Sequence, residues 1–173
     1  MTVRGVFPGR FQPFHLGHLE IVKWALEKVD ELIIVIGTAQ ESHTIVNPFT
    51  AGERMIMIKS ALIEEGVDMS RIYIVPVPDV LMNAVWVEYL KLYVPSFKYG
   101  ISRNPLVIRL FRDAGYEVLI PPAFERDKYS STKIRLLMMA NDPSWRDRVP
   151  KAVARVIDEI NGVERLREVS RVD

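Results

Sequence analysis

The chain has 173 residues, the size of one ordinary domain with a sizeable core, and 49% of them are hydrophobic. Its formal net charge is only +1, which removes the electrostatic case for a general nucleic-acid binder, so any phosphate binding has to come from local clusters. No cysteine is present, which excludes disulfides, thiolate metal ligands and a cysteine nucleophile.

Strand and helix patterns alternate along the chain. Val3–Phe7 is an apolar run read as a buried strand, and it leads without a signal-peptide layout into the pattern of a domain. A cytoplasmic protein is therefore expected, with neither membrane nor nucleic acid as partner. Between this strand and a helix over His15–Val29 stands Gly9-Arg10-Phe11-Gln12-Pro13-Phe14-His15-Leu16-Gly17-His18. The helix places Leu19, Val22, Leu26 and Val29 on one face. A strand, a glycine-containing turn and a helix start form an anion site, since free N–H groups and the helix dipole both favour negative charge. Arg10, His15 and His18 add donors suited to phosphate oxygens.

Further strands are expected over Glu31–Ile36, Arg71–Val77, Phe97–Ile101 and Tyr116–Ile120, with helices over Thr50–Glu65, Asn83–Tyr93 and Pro105–Ala114. Thr50 and Glu53 read as a capping box, and Gly66 and Gly115 as helix stops. Thr132–Met139 and Pro150–Ile160 supply two more helices, the second ending at Asn161-Gly162, and the charged stretch Arg165–Asp173 reads as a fraying end. The apolar side of the Pro150–Ile160 helix, with Val149, Val153, Val156, Ile157 and Ile160, is expected to pack on the sheet or on a neighbouring subunit. This order argues an α/β domain, a doubly wound parallel sheet of five strands with C-terminal helices. Ligands in such a sheet bind beyond the carboxyl ends of the strands, which directs attention to the loops after each strand.

The first loop is neither a dinucleotide fingerprint, because G-x-G-x-x-G is not matched, nor a Walker A loop, because no G-K-[ST] follows. Zinc is disfavoured: His43 is the sole other histidine, and no thiolate exists. The competing structural reading of His15 and His18 is that they cap the helix.

The ten residues from Gly9 to His18 resemble the H-x-G-H motif of the nucleotidyltransferase superfamily, and their G-R-F-Q-P-F form resembles archaeal nicotinamide mononucleotide adenylyltransferases. Ser130-Ser131-Thr132-Lys133-Ile134-Arg135 matches the S-S-T-x-x-R motif of the same family, about 115 residues downstream. Read on its own, this second motif is a helix capped by Ser130 or Ser131, with Arg135 in the first turn able to curl toward an anion.

The resemblance implies a Rossmann-like nucleotidyltransferase fold and a reaction. The 5′-phosphate of nicotinamide mononucleotide attacks the α-phosphorus of ATP, giving NAD and pyrophosphate. It implies His15, His18, Arg10 and Arg135 as catalytic residues acting by charge stabilisation, with Arg10, Arg135 and Thr132 holding the β- and γ-phosphates or the incoming phosphate. Gly9, Phe11, Gly17, Ser130 and Ser131 would shape the nucleotide site, and Mg2+ would travel with the ATP phosphates. Asp79-Val-Leu-Met-Asn83-Ala-Val-Trp86 resembles the D-x-x-x-N-A-x-W stretch of archaeal members. There Asn83 would pair with the carboxamide and Trp86 would stack on the pyridinium. Helix spacing alone places Trp86 in the core, and Asn83 alone reads as a helix cap. Ser102 and Asn104 fall where the family contacts ribose and adenine. Two positions depart from the pattern: Arg103 replaces a usual Gly, and Val46 replaces a usual Arg or Lys, so either Arg103, Arg126 or Lys128 substitutes or the affinity for the mononucleotide is lower. His43, close to Val46, has a loop-stabilising role as its alternative. The family likeness also suggests a homo-oligomer, such as a hexamer.

Overall fold

The computed structural model describes residues 1–171. Five strands, β1 (Arg4–Gly9), β2 (Glu31–Ile36), β3 (Ile72–Pro76), β4 (Tyr99–Ile101) and β5 (Glu117–Leu119), form one parallel sheet in the order β3-β2-β1-β4-β5. The chain winds outward from β1 in both directions. The crevice at its carboxyl end, between β1 and β4, is thus the topological switch point.

Alternation along the two central strands divides the core. Phe7, Leu32, Ile34 and Ile36 face α1 (Leu16–Leu26), α2 (Ala51–Glu64), α5 (Ser131–Met139) and α6 (Lys151–Glu159). Val6, Ile33 and Val35 face the opposite layer, which holds α3 (Trp86–Leu90) and α4 (Pro105–Asp113). This two-sided burial explains why β2 reads as an unbroken apolar run.

Several boundaries differ from the sequence reading for physical reasons. His15 is the cap of α1 and not its first residue. The expected helix over Asn83–Tyr93 is a 3-10 turn, Asn83–Val85, followed by the five-residue α3, and Asn83 makes no side-chain cap bond. β4 and β5 are three residues each, shorter than the apolar runs that contain them. The capping box of Thr50 and Glu53 forms as expected.

The expected frayed end is a correction. Gly162–Val169 forms α7, begun by Asn161 in the left-handed conformation, with Leu166 fully buried. Arg165 anchors it: its Nη1 and Nη2 donate to the Glu53 carboxylate at 2.7 and 2.8 Å, and Nη1 also donates to the Pro48 carbonyl. Charge pattern alone hid this, because a charged residue that pairs internally looks like a solvated one. The last two residues of that stretch, Val172 and Asp173, lie outside the described residues. The apolar side of α6 packs within the chain, burying Val153, Val156 and Ile157 in the first core layer. Among the described residues no helix is long and apolar enough to cross a membrane.

Candidate active site

A cleft of about 750 Å³ opens at the switch point, large enough for a nucleotide. Arg10, His15, Gly17 and His18 form one wall. Arg103 and Asn104 come from the loop after β4, Arg126, Asp127, Tyr129 and Ser130 from the segment leading into α5, and Ser131 and Lys133 from its first turn. Four cationic side chains thus face a single carboxylate.

The two histidines do both things that their sequence positions allow. The His15 backbone N–H donates to His18 Nδ1 at 3.1 Å, and the His18 backbone N–H donates to His15 Nδ1 at 3.3 Å. This is a reciprocal capping box built from imidazoles. It also fixes both tautomers. With each Nδ1 accepting, the ring proton of a neutral imidazole sits on Nε2. The rings stack at 3.5 Å between centroids, so both edges enter the cleft side by side. Capping therefore creates a pair of oriented Nε2–H donors.

Burial keeps these rings neutral. Desolvation pushes His15 down to about 3. His18, enclosed by Phe7, Phe11 and Phe14, is held well below the usual imidazole range by burial and then by its neighbour His15. Because the folded values lie below the unfolded value of about 6.5, the unfolded chain takes up protons that the folded chain refuses. Their contribution to stability is complete above that pH and is lost as pH falls through it towards the folded values. Between about pH 6.5 and 5 the unfolding free energy is expected to fall by up to about 1.4 kcal/mol per pH unit for each histidine. Urea titrations across that window check this, and a flat profile would show that the rings are exposed and free to titrate.

Gly17 makes the stack possible. A Cβ there would lie 2.9 Å from His15 Cε1 and 3.1 Å from Tyr129 Cβ. Gly9 similarly leaves room for the Phe11 ring, which a Cβ would meet at 2.8 Å. Phe11 itself is 2% exposed and packs behind His18 at 4.8 Å, so its ring supports the site from beneath and does not line it.

The second motif is pinned to the first. Ser130 caps α5, accepting from the Lys133 N–H, and Ser131 Oγ donates to the Pro13 carbonyl at 3.0 Å. Arg135 is buried, and its Nη1 donates to the Gln12 carbonyl at 2.9 Å, with Thr132 Oγ1 at 3.5 Å from Nη2. Arg135 therefore holds the first loop from beneath, where the sequence suggested a guanidinium reaching the anion; neither it nor Thr132 is among the residues lining the cleft. Gln12, which the sequence reading passed over, completes this support: its side-chain amide pairs with the Phe49 backbone, donating to the carbonyl at 3.0 Å and accepting from the N–H at 2.9 Å. Lys133 was also passed over, as a variable position in its motif. It lines the cleft and donates to the Asp127 carbonyl at 2.6 Å.

Asn104 caps α4, its Oδ1 accepting from Leu106 and Val107, and it lines the cleft. Ser102 is buried beneath it and accepts from the Asn104 N–H. Arg103 donates to the Pro121 carbonyl at 2.6 Å while its buried Nε lacks a partner. Of the expected substitutes for Val46, Arg103 and Arg126 line the cleft, whereas Lys128 lies over the Tyr129 ring at 5.3 Å. Val46 stands exposed at a loop tip, and His43 spends its Nδ1 on Ser42 Oγ at 2.8 Å.

The segment proposed for the pyridine ring lies outside this cleft lining. Asp79 is held in place by Thr38 and Gln40. Asn83 is exposed. Trp86 is half-buried and meets Phe111 edge-on at 5.3 Å, so one part of the ring serves the core and the remainder is accessible.

Known proteins resemble this chain along nearly its whole length. A family model described as cytidylyltransferase-like matches residues 6–137. The nicotinamide-nucleotide adenylyltransferase of Ignicoccus hospitalis is 57% identical over 99% of this chain and 100% of its own. That of Saccharolobus solfataricus is 58% identical over 98% of both chains. Among solved structures, a bifunctional NMN adenylyltransferase/ADP ribose pyrophosphatase from Francisella tularensis, complexed with AMP and a Mn ion, aligns with a TM-score of 0.73 at 22% identity. That alignment covers 98% of this chain and 52% of the other, and at such identity the likeness concerns the fold. The chain therefore belongs to the cytidylyltransferase-like family and groups within it among the nicotinamide-nucleotide adenylyltransferases.

Proposed function

We propose that this protein joins ATP to nicotinamide mononucleotide, releasing pyrophosphate and forming NAD. The observation that carries the reading is the pair of tautomer-fixed Nε2–H donors beside Arg10, on a cationic wall at the switch point.

A phosphate monoester is already anionic at neutral pH, so the attacking oxygen needs no base. The oxygen forms a bond to the α-phosphorus as the bond to the bridging oxygen breaks, and pyrophosphate leaves with that electron pair. Catalysis then consists of aligning two polyanions and stabilising the charge that grows on the leaving group. His15 and His18 donate to the α- and β-phosphate region without gaining or losing a proton. Arg10 holds the outer phosphates or the incoming one. Gly9, Gly17, Ser130 and Ser131 shape this region, with Phe11 and Arg135 supporting it from below and Thr132 at its edge. Ser102 and Asn104 take the ribose, Asn83 the carboxamide and Trp86 the pyridinium face, with Asp79 fixing their loop.

Among the described residues no group of three or more His, Cys, Asp or Glu is placed to hold a metal ion. A donor set rich in cations suits a divalent ion that arrives on the phosphates, so magnesium is treated as part of the ATP substrate, where it neutralises phosphate charge. Occurrence in the cytoplasm and assembly into a homo-oligomer belong to the same proposal.

Pyrophosphate release from ATP and magnesium tests the reading, with nicotinamide mononucleotide, its nicotinate analogue and pantetheine phosphate supplied separately. Release with the first and NAD among the products is expected. Release with pantetheine phosphate alone would overturn the assignment of Asn83 and Trp86, and silence with all three would leave a nucleotide-binding protein without transferase activity. Trp86→Ala is expected to raise the KM for the mononucleotide about tenfold through the lost ring contact, with little change for ATP. Equal shifts for both substrates in steady-state kinetics would return Trp86 to a purely core role.

A further inference from the structure

Arg54 is the largest of the fully buried side chains. Helix α2 delivers it beneath the first loop. Its Nη1 donates to the carbonyls of Arg10 and Gly37, both at 2.8 Å. Its Nη2 donates to the Thr38 carbonyl at 3.1 Å, and its Nε to the Thr50 carbonyl at 3.2 Å. Every acceptor is a neutral carbonyl. No carboxylate hydrogen-bonds to the guanidinium, although Asp79 and Glu53 act on it through space, and burying it is costly where an apolar side chain would fill the space at less expense. Fold stability alone gives little reason for it.

What the fork does is join loops. Arg10 follows β1, while Gly37 and Thr38 follow β2. Thr38 continues the chain of contacts, since its Oγ1 donates to Asp79 at 3.0 Å in the loop after β3. One planar group thus sets three strand ends relative to one another, and only a guanidinium has enough donors in a rigid plane to do so. Its charge persists beneath the phosphate wall at neutral pH, because burial and Arg10 lower its pKa only to about 10.

We propose that Arg54 is a positioning residue for adenylyl transfer, holding the Arg10 main chain in register with the loop after β2 and so aiming the Arg10 guanidinium at the cleft. The inference rests on the adenylyl-transfer reading. Arg54→Lys keeps the charge and loses the fork. It is expected to lower kcat at least about tenfold with a smaller change in KM, since small misplacements near reacting groups cost that much. In an Arg10→Ala background the same change should cost about twofold or less, because the group it positions is gone. Loss of melting temperature should be the same in both backgrounds. Equal fold-losses of kcat in the two backgrounds, or an unaltered kcat, would overturn the proposal.

Should Arg54→Lys not fold, the wild-type protein labelled with 15N-arginine supplies the test. Arg54 Nη protons should be resolved and should shift on addition of a non-hydrolysable ATP analogue; unshifted signals under saturation would overturn the proposal. Wild-type protein that makes no NAD defeats the adenylyl-transfer reading. An active wild type with an insensitive Arg54→Lys variant defeats this inference alone.

Discussion

His18→Ala should cut turnover by about two to three orders of magnitude, the usual consequence of removing one preorganised donor from developing oxyanion charge. The variant loses two things at once. The Nε2–H leaves the cleft, and the His15 backbone N–H loses its acceptor on His18 Nδ1. The second loss is a cap, with an expected stability cost of about 1 kcal/mol.

His18→Gln separates the two. A glutamine at the third helical position reaches back to the cap N–H in ordinary capping boxes. It should restore most of the melting temperature and little of the turnover. Steady-state kinetics beside thermal unfolding decide the matter. Recovery of turnover together with stability would make His18 a cap and nothing more. The pH profile of the residual activity should keep the shape of the wild type, since a ring held neutral by desolvation donates without titrating.

Much of the frame was legible because it depends on local patterns. Glu31–Ile36 is apolar throughout, and only a strand covered on both faces uses such a run, so β2 matches its sequence bounds. The Thr50–Glu53 box and the left-handed Asn161 are likewise signals carried by adjacent residues. The histidines pointed to the cleft because two imidazoles at a helix start have few other uses. What stayed hidden depends on long-range pairing. Arg54, Gln12 and Arg135 bury polar groups against backbone carbonyls or amides from distant loops, and no spacing in the chain announces a carbonyl as a partner. Arg165 pairs with Glu53 across more than a hundred positions, so a structured helix read as a charged tail. The third strand loop presents the same difficulty in reverse. Asp79 was legible as polar, yet its carboxylate is already engaged by Thr38 and Gln40.

Arg10 and Arg135 look alike in their motifs, and the structure separates them. Arg10 is exposed, and among the described residues its side chain has no ion pair or hydrogen bond; its guanidinium is free to meet a polyanion. Arg10→Ala should therefore leave the melting temperature nearly unchanged while lowering kcat by about a hundredfold, as for other lost cations in phosphoryl transfer. Arg135 is 7% exposed and already donates to the Gln12 carbonyl. Arg135→Ala leaves that carbonyl unpaired and opens a cavity under the first loop, which should cost about 2–4 kcal/mol of stability. Its kinetic loss should then be shared between kcat and both KM values, because the whole loop moves. The contrast is measured with the two variants in parallel, by thermal unfolding and by initial rates over a grid of both substrates. A stable Arg135→Ala protein with a pure loss of kcat would mean that Arg135 turns to the phosphates when substrate is bound, and would move it from the support of the site into the site itself.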